Sequence, residues 1–472
     1  MRQKTKIVCT IGPATWDENV LRTLIDTGMT VARINASFAD AAEIKRVTKL
    51  IRDISDNVAV LLDLKGHKIR VSDFGDPIML EASQEFILDT NQESEHVSVS
   101  YENLHNDIKV GAPILIDDGK VRMEVKAIEG TKIICTVKNT AELKRLKTVN
   151  VPGTRLSFDP LTEKDKVDIQ AGVECDVDLI AGSFVRDVED VRAIKERIEG
   201  TDIGIIAKIE DPLGVRNFDE ILENVYGIMV ARGDLGVEIP YEQVPILQKE
   251  FIKKCNILGK PVIVATHMLE SMTNSPAPTR AEVSDVANAV FDGTDAIMTS
   301  AETSTGAYPV EAITTMAKVS LNVEKMSESK SYDDNAETIL KYNGKESNAF
   351  TRSSIAIAKA TAEACRNLPI AAIIVLSKGG FTARMIARHH LKQPIYTYVR
   401  KEKAAKQLAL THGVSAKLLE SQDQDRDSAI KRIIAEAKSD GAVKPGDLVA
   451  VTIGSLAFVD THASILDIQT VE

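Results

Sequence analysis

Short apolar runs alternate with amphipathic helical patterns through residues 5–66 and 152–320. A short apolar run is typical of a strand buried on both faces, and apolar residues at helical spacing are typical of a helix packed on such a sheet. The apolar runs are residues 7–11, 31–34, 59–62, 179–181, 205–209, 228–230, 262–265 and 296–298. Eight such runs with intervening helices predict a (β/α)₈ TIM barrel.

The alternation stops at residue 68 and resumes after residue 150. The interrupting segment carries short strand-like pieces and turn signals with little helical period, which predicts an inserted all-β domain. Residues 326–347 are polar and predict a linker, after which helices and strands alternate again. The predicted organisation is a catalytic barrel from residues 1–67 and 151–330, a β-rich lid domain from residues 68–150, and a C-terminal open α/β domain for regulation or assembly from residues 331–472.

Charged side chains follow the apolar runs where strands are expected to end. Lys208 and Glu210 lie two residues apart on a strand and therefore share a face, and Asp234 follows the next run in a glycine-flanked turn. Two carboxylates suffice for Mg²⁺ when substrate oxygens and water complete its coordination. A lysine beside such a cation suits a phosphoryl substrate. The alternative is an ordinary surface ion pair on a loop.

Composition restricts the class of partner. The net charge of −11 argues against nonspecific nucleic-acid binding, and no stretch approaches the length of a membrane span. A strand begins almost at the N-terminus, so we expect no signal peptide. The five scattered cysteines have no zinc spacing and are typical of reduced thiols, so the expected location is cytoplasmic.

Several segments together resemble the pyruvate kinase family. They are TKIVCTIGPA at residues 5–14, ARINAS at 32–37, MVARGDLG at 229–236, IVATHMLESM at 263–272 and PTRAEVSDVANA at 278–289. The resemblance is strong over residues 1–325 and weaker beyond them. It implies transfer of phosphate from phosphoenolpyruvate to ADP, giving pyruvate and ATP in glycolysis.

The resemblance implies a role for each charged strand end. Glu210 and Asp234 would bind Mg²⁺ or Mn²⁺, Lys208 would lie beside the transferring phosphoryl group, and Arg33 would contact phosphate oxygens. The turn at Gly233 and Asp234 is expected to open a short helix whose backbone N–H groups, with the Thr266 hydroxyl, suit the substrate carboxylate.

Protonation of the enolate is assigned by resemblance to Thr266, with Ser300 and Glu302 in the same relay. A purely structural hydroxyl at the end of a strand is the alternative for Thr266. Two neighbours depart from the family pattern, namely His267 in place of glutamine and Ala301 in place of glycine.

No Walker loop occurs, so the nucleotide site also comes from the resemblance, between barrel and insert. The positions that match nucleotide contacts are Pro13, Asn35, Phe38, Arg70 and Lys147. Phe38 replaces a histidine of the family, and its ring can still stack on a base. Lys147 could equally be a solvated surface lysine.

The third strand carries the signs of a class that does not require K⁺. Asn35, Ser37 and Asp63 match K⁺ ligands of the family, but Leu64 replaces a threonine and Lys68 replaces a glutamate. The Lys68 ammonium could place a monovalent charge near the potassium position and pair with Asp63. A solvated hinge lysine with K⁺ still bound is the alternative. His67 replaces a hinge proline.

The C-terminal part keeps only some of the effector-site pattern. Ser377, Lys378 and Thr382 could hold one phosphate at the start of a helix, whereas the last loop, residues 454–461, lacks the arginine and glycines of members activated by fructose 1,6-bisphosphate. We therefore expect either a site for another phosphorylated effector or a turn that binds no ligand. The resemblance also implies a homotetramer.

Two other functions remain open on the sequence alone. One is a metal-dependent lyase or aldolase acting on a pyruvate-like substrate, against which the insert with Arg70 and Lys147 argues. The other is a non-catalytic relative, against which the retained Lys208, Glu210 and Asp234 argue.

Overall fold

Eight parallel strands close into a barrel in the computed structural model, which describes residues 3–326, 349–419, 425–454 and 463–472. The barrel strands are β1 (Lys6–Thr10), β2 (Met29–Asn35), β3 (Ala59–Asp63), β13 (Leu179–Gly182), β14 (Gly204–Ile209), β15 (Gly227–Ala231), β16 (Val262–Ala265) and β17 (Ala296–Thr299). Each predicted apolar run coincides with one of these strands. The predicted TIM barrel is therefore confirmed.

Helices surround the barrel and connect its strands. They are α1 (Glu18–Thr27), α2 (Ala41–Ile54), α4 (Glu163–Glu174), α5 (Val188–Arg197), α6 (Pro212–Arg216), α7 (Phe218–Asn224), α8 (Arg232–Glu238), α9 (Val244–Leu258), α10 (Arg280–Asp292), α11 (Ala301–Ser304) and α12 (Pro309–Met326). Capping side chains determine where several of these helices begin. Thr279 and Glu282, for example, form a reciprocal capping box at the N-terminus of α10.

The insertion between β3 and α4 is a small β domain, as predicted. It contains β4 (Ile69–Arg70), β5 (Ile78–Leu80), β6 (Glu85–Asp89), β7 (Val97–Ser98), the one-turn helix α3 (Leu104–Asp107), β8 (Pro113–Ile116), β9 (Val121–Glu129), β10 (Lys132–Val137), β11 (Ala141–Leu143) and β12 (Thr148–Asn150). Seven of the strands form one sheet in the order β4-β12-β8-β9-β10-β6-β7, and β11 pairs with β5. A separate apolar cluster fills this domain.

An open five-stranded sheet forms the C-terminal part. Its elements are α13 (Ala349–Asn367), β18 (Ile370–Ser377), α14 (Phe381–Ala387), β19 (Ile395–Val399), α15 (Glu402–Gln407), β20 (Val414–Leu418), α16 (Arg426–Ser439), β21 (Leu448–Gly454) and β22 (Ala463–Thr470). The strand order is β20-β19-β18-β21-β22, with only β22 antiparallel. The predicted linker, after Met326 at the end of α12, lies outside the described residues.

Alternate residues of the barrel strands point inward and fill the interior with apolar side chains. Val8, Val31, Leu61 and Ile206 belong to this inner cluster and are fully buried. Layered packing of this kind makes the barrel a solid core rather than a pore, so binding takes place at its mouth. None of the helices in the described ranges has the length and apolar character needed to cross a bilayer.

Candidate active site

The strand alternation that fills the barrel also places a polar layer at its mouth. Two residues beyond Val8, Val31, Leu61 and Ile206, on the same inward face, stand Thr10, Arg33, Asp63 and Lys208. These residues lie at the carboxyl ends of their strands, where active sites of such barrels are found. Arg33, Asp63 and Lys208, which the sequence analysis selected, therefore belong to the last inward layer of the core.

Four of the charged side chains form one buried group, which we call the charge quartet: Arg33, Asp63, Lys208 and Glu210. The Arg33 Nε donates to Asp63 Oδ2 at 2.6 Å. The Lys208 Nζ lies 3.1 Å from Asp63 Oδ1 and 3.0 Å from Glu210 Oε1. Only 1% of Asp63 and of Glu210 is exposed, so the two cations balance two carboxylates that water hardly reaches.

The charge quartet fixes the ionisation of its members. Burial disfavours the charged form of Asp63, but Lys208 and Arg33 outweigh burial and lower the pKa of that carboxyl. Burial likewise opposes the charge of Lys208, whereas Asp63 and Glu210 raise its pKa, so the side chain is an ammonium. Burial raises the pKa of Glu210; Lys208 opposes the rise, and the charge of Asp234 adds to it.

Ser183, which the sequence analysis missed, holds the quartet in place. The Lys208 Nζ donates to Ser183 Oγ at 2.7 Å, and that hydroxyl donates to the carbonyl oxygen of Leu64 at 2.7 Å. The next backbone N–H, of Phe184, donates to Glu210 Oε2 at 2.6 Å. Ser183 stands two residues after the inward-facing Ala181 of β13, so the same alternation rule could have identified it.

Glu210 and Asp234 suit a divalent cation. Glu210 Oε1 is buried and receives no hydrogen bond within the described residues, although Lys208 lies beside it. Asp234 opens α8 as predicted and is about one-third exposed. No cluster of three or more histidine, cysteine, aspartate or glutamate side chains with metal-binding geometry occurs in the described part of the chain. An ion here would thus take its remaining ligands from substrate and water, as Mg²⁺ commonly does.

The predicted pairing of Lys68 with Asp63 is wrong. The Lys68 Nζ lies 3.2 Å from Asp234 Oδ1, and 5.8 Å from the centre of the Phe184 ring. Both Asp63 oxygens already face Arg33 and Lys208, which leaves no place for a third cation. Asn35 and Ser37, the other residues matched to K⁺ ligands, bond to each other, because the Ser37 N–H donates to Asn35 Oδ1 at 3.1 Å. Leu64 is buried.

Thr266 and Gly233 meet where β16 and β15 end. The Gly233 N–H donates to Thr266 Oγ1 at 2.7 Å, and this hydroxyl donates to the carbonyl oxygen of Ala265 at 2.6 Å. Thr266 and His267 have φ values of 66° and 53°, a region that non-glycine residues rarely adopt. Strain of this kind persists only where the surroundings impose it and is common at active sites.

Arg232, which the sequence analysis did not select, imposes that backbone shape. Its Nη2 donates to the carbonyl oxygen of Thr266 at 2.7 Å, and its Nη1 donates to Asp285 Oδ1 at 2.8 Å. The arginine therefore fastens the start of α8 to both β16 and α10. No local sequence signal indicates these partners, since they lie 34 and 53 residues further along the chain.

Ser300 and Glu302 follow β17. Glu302 is almost fully buried and accepts hydrogen bonds from the backbone N–H groups of Ser300 at 2.7 Å and Leu269 at 3.1 Å. Burial raises its pKa. The carboxyl thus shapes the backbone of two strand ends, and Ser300 lines the same cavity as Thr266.

A cavity of about 960 Å³ lies between the barrel mouth and the inserted domain. Gly233, Asp234, Thr266 and Ser300 line it from the barrel, and Asp118 lines it from the inserted domain. This volume is at the upper end for cofactor-sized sites. Three of the residues that the sequence analysis assigned to the small substrate, Gly233, Asp234 and Thr266, therefore border one space, whereas Arg33 and Lys208 do not line it.

The nucleotide candidates are more dispersed. Pro13 begins a short helical turn after β1, and Phe38 is 89% exposed. Arg70 Nη1 donates to the carbonyl oxygen of Leu146 at 2.8 Å. Lys147 Nζ lies 2.9 Å from Asp117 Oδ1, so it is paired rather than solvated alone. An apolar ring as exposed as Phe38 is free to stack on a ligand.

In the C-terminal sheet, the candidate effector residues surround the turn before α14. The Gly380 N–H donates to Ser377 Oγ at 3.1 Å, and Thr382 is buried. Lys378 lies in the same turn. Most of the last loop, residues 455–461, lies outside the described residues.

Comparisons with known proteins agree with this geometry. The family model described as "Pyruvate kinase, barrel domain" matches residues 2–313, and "Pyruvate kinase, alpha/beta domain" matches residues 355–469. A pyruvate kinase of Geobacillus stearothermophilus is 44% identical over 470 residues, which cover 96% of this chain and 78% of the relative. A pyruvate kinase of Clostridium acetobutylicum is 41% identical over 482 residues, covering both chains fully. A crystal structure of a pyruvate kinase from Cryptosporidium parvum superposes with a TM-score of 0.90 at 34% identity, covering 100% of this chain and 96% of that one.

Proposed function

The chain belongs to the pyruvate kinase family, and we propose that its barrel mouth transfers the phosphoryl group of phosphoenolpyruvate to ADP with the help of a divalent cation bound by Glu210 and Asp234. One observation carries the proposal. The charge quartet is buried at the strand ends, where Lys208 lies between the carboxylates of Asp63 and Glu210, and Glu210 Oε1 receives no hydrogen bond within the described residues. Asp234, whose charge acts on Glu210, borders the cavity at the same mouth.

The metal assignment rests on the donor set. When bound, Mg²⁺ or Mn²⁺ would neutralise negative charge on substrate oxygens as the phosphoryl group leaves. The Phe184 N–H keeps one oxygen of Glu210 in place, so the other oxygen is directed without reorganisation. Asp234 supplies the second carboxylate from α8.

Lys208 and Arg33 are the groups that meet the phosphoryl oxygens. A positive charge about 4 Å from a phosphoryl oxygen contributes roughly 4 kcal/mol at an effective dielectric of 20. Only the part of this interaction that grows at the transition state increases the rate. Because the charge quartet holds both side chains rigidly, they are preorganised for that growth.

Residues at the ends of the other strands would bind the substrate carboxylate and supply the proton to the enolate. The Gly233 N–H and the Thr266 hydroxyl now bond to each other, and a carboxylate would replace that contact with two of its own. Thr266 and Ser300, in one cavity, are the hydroxyls available to relay a proton. Glu302 orients Ser300 through the backbone.

For ADP we propose the cleft between barrel and inserted domain. Phe38 would stack on the base, while Pro13 and Asn35 would contact the nucleotide from the barrel. Arg70 and Lys147 would approach the phosphates from the inserted domain. Asp117 would then release or share Lys147, which it holds at 2.9 Å.

A direct assay tests the function. Pyruvate should form from phosphoenolpyruvate only when both ADP and Mg²⁺ or Mn²⁺ are present. Pyruvate released without ADP would indicate a lyase or phosphatase, and binding of ADP without turnover would indicate a non-catalytic relative. Either result would contradict the proposal.

We predict that activity does not depend on K⁺. The Lys68 ammonium beside Asp234 supports this prediction, because it provides a monovalent positive charge at the mouth. Turnover should be similar, within about twofold, in Tris buffers with and without K⁺. A large stimulation by K⁺ would contradict the prediction.

The variant Lys68→Glu tests whether the positive charge of Lys68 replaces the K⁺ ion. The change replaces the positive charge that Lys68 brings to the mouth with a negative one, and each of the two charge changes is worth about 1 kcal/mol at a partly exposed site, so activity without K⁺ should fall about tenfold or more. Added K⁺ should restore part of the loss. Lys68→Gln is the matched control, which removes the charge without reversing it and should show no gain from K⁺.

We also propose a site for a phosphorylated effector, a tetrameric assembly and the limits of the domains. Ser377, Lys378 and Thr382 would hold one phosphate of an effector other than fructose 1,6-bisphosphate, and titration of AMP and sugar phosphates at low substrate would identify it. We expect a homotetramer, which light scattering after size exclusion would test. The proposed domain boundaries place the lid at residues 68–150 and the C-terminal domain at residues 331–472, and limited proteolysis would test them.

A further inference from the structure

Both connections between the barrel and the inserted domain are tied to the same short helix, α8. The first connection, residues 64–68, ends at Lys68, whose Nζ lies 3.2 Å from Asp234 Oδ1. The second connection, residues 151–162, follows Asn150, whose Nδ2 donates to Glu238 Oε1 at 2.6 Å. Asp234 and Glu238 are four residues apart and therefore share one face of the helix.

The helix itself is fixed to the barrel. Leu235 is fully buried, Arg232 pairs with Asp285, and the Gly233 N–H bonds to Thr266. The face with Asp234 and Glu238 is turned towards the inserted domain. Helix α8 thus links two side chains at the edges of the inserted domain to the barrel.

The two ties border a small cavity that leaves them room to change. It encloses about 130 Å³, and its walls include Lys68, Asn150, Phe184, Asp234 and Glu238. Lys68 can therefore leave Asp234 without displacing backbone, and the ring of Phe184 offers its ammonium a second partner.

The two ties are not equivalent, because only Asp234 has a second task under the proposed function. We infer that the Lys68 ammonium and the divalent cation compete for Asp234, so that metal binding frees the first connection while the Asn150–Glu238 tie remains as a pivot. The inference rests on the proposed metal site. A dication on Asp234 would cancel the attraction that holds Lys68 Nζ 3.2 Å from its carboxylate. Lys208, which lies 3.0 Å from Glu210 Oε1, is also held by Asp63 and Ser183, whereas Asp234 is the one carboxylate paired with Lys68 among the described residues. Lys68 and Glu238 are accordingly positioning residues for the lid.

Mn²⁺ binding, followed by electron paramagnetic resonance on the full-length protein without substrates, tests the competition. Lys68→Met should bind Mn²⁺ about fivefold more tightly than the wild type, since a partly exposed ion pair no longer has to break. Lys65→Met removes a lysine from the same connection and should leave the affinity within about twofold. Equal affinity of Lys68→Met and wild type would overturn the inference.

Hydrogen exchange tests the release. Mn²⁺ should speed amide exchange of residues 64–70 about twofold to fivefold in the wild type and leave the already freed Lys68→Met unchanged. Glu238→Ala should speed exchange of residues 148–154 whether or not Mn²⁺ is present. Bound Mn²⁺ without faster exchange at 64–70 would overturn the inference alone. If Asp234→Asn binds Mn²⁺ as tightly as the wild type, the metal site itself is wrong and both proposals fall.

Discussion

Replacing Lys208 with methionine is expected to lower kcat about 10²–10³-fold while changing the KM for phosphoenolpyruvate much less. The methionine keeps the aliphatic part of the side chain but removes the ammonium that lies between Asp63 and Glu210. The charge that it stabilises is greatest when the phosphoryl group is between donor and acceptor. Steady-state kinetics with varied phosphoenolpyruvate and saturating ADP would measure the two constants separately.

Loss of folding must be distinguished from loss of chemistry in this variant. Removing one member of a buried ion pair costs about 3–5 kcal/mol, so the thermal midpoint of Lys208→Met should fall as well. Lys254→Met is a suitable control, because it removes a lysine on the outer helix α9 that pairs with Asp219. A folded Lys208→Met variant with wild-type kcat would show that the lysine has no part in phosphoryl transfer.

Glu210→Gln should abolish most activity because it weakens binding of the divalent cation. Loss of a residue that merely supports a metal ligand costs about 10–100-fold in affinity, so loss of the ligand itself should cost at least about 100-fold. The glutamine can still accept the Phe184 N–H, which Glu210 accepts at 2.6 Å, so the local backbone should keep its shape. Titration calorimetry or Mn²⁺ resonance would give the affinity, and activity should rise again only at far higher metal concentrations.

The matched control is Asp168→Asn. Asp168 is also a buried carboxylate paired with a lysine, Lys164, but it lies on α4 outside the barrel mouth. It should lose some stability and keep its affinity for Mn²⁺. Unchanged metal affinity in Glu210→Gln would remove Glu210 from the proposed ligand set.

The barrel and the position of its site follow closely from local pattern. The barrel strands are largely apolar because they are covered on both faces, and in β1, β2, β3 and β14 the last inward residue is polar because it lies at the mouth. This rule locates Arg33, Asp63 and Lys208 at the mouth without any knowledge of long-range contacts. Ser183 obeys the same rule, and Lys208 donates to its hydroxyl at 2.7 Å.

The partners of the charged groups could not be predicted in the same way. The sequence suggests that Lys68 pairs with Asp63, which is near it in the chain, but the structure brings Lys68 to Asp234, 166 residues away. Pairing depends on how the inserted domain sits on the barrel, and no periodicity encodes that angle. The contacts of Arg232 and the Asn150–Glu238 hydrogen bond could not be predicted for the same reason, since each joins elements that are distant in the chain.

The buried charge quartet also limits how such a site can be redesigned. A single exchange among Arg33, Asp63, Lys208 and Glu210 leaves one ion without its counterpart in a region that water hardly reaches. Variants that alter the specificity of this mouth should therefore survive selection only as simultaneous substitutions of opposite sign. Libraries built from paired codons at these positions are the more promising starting point for engineering.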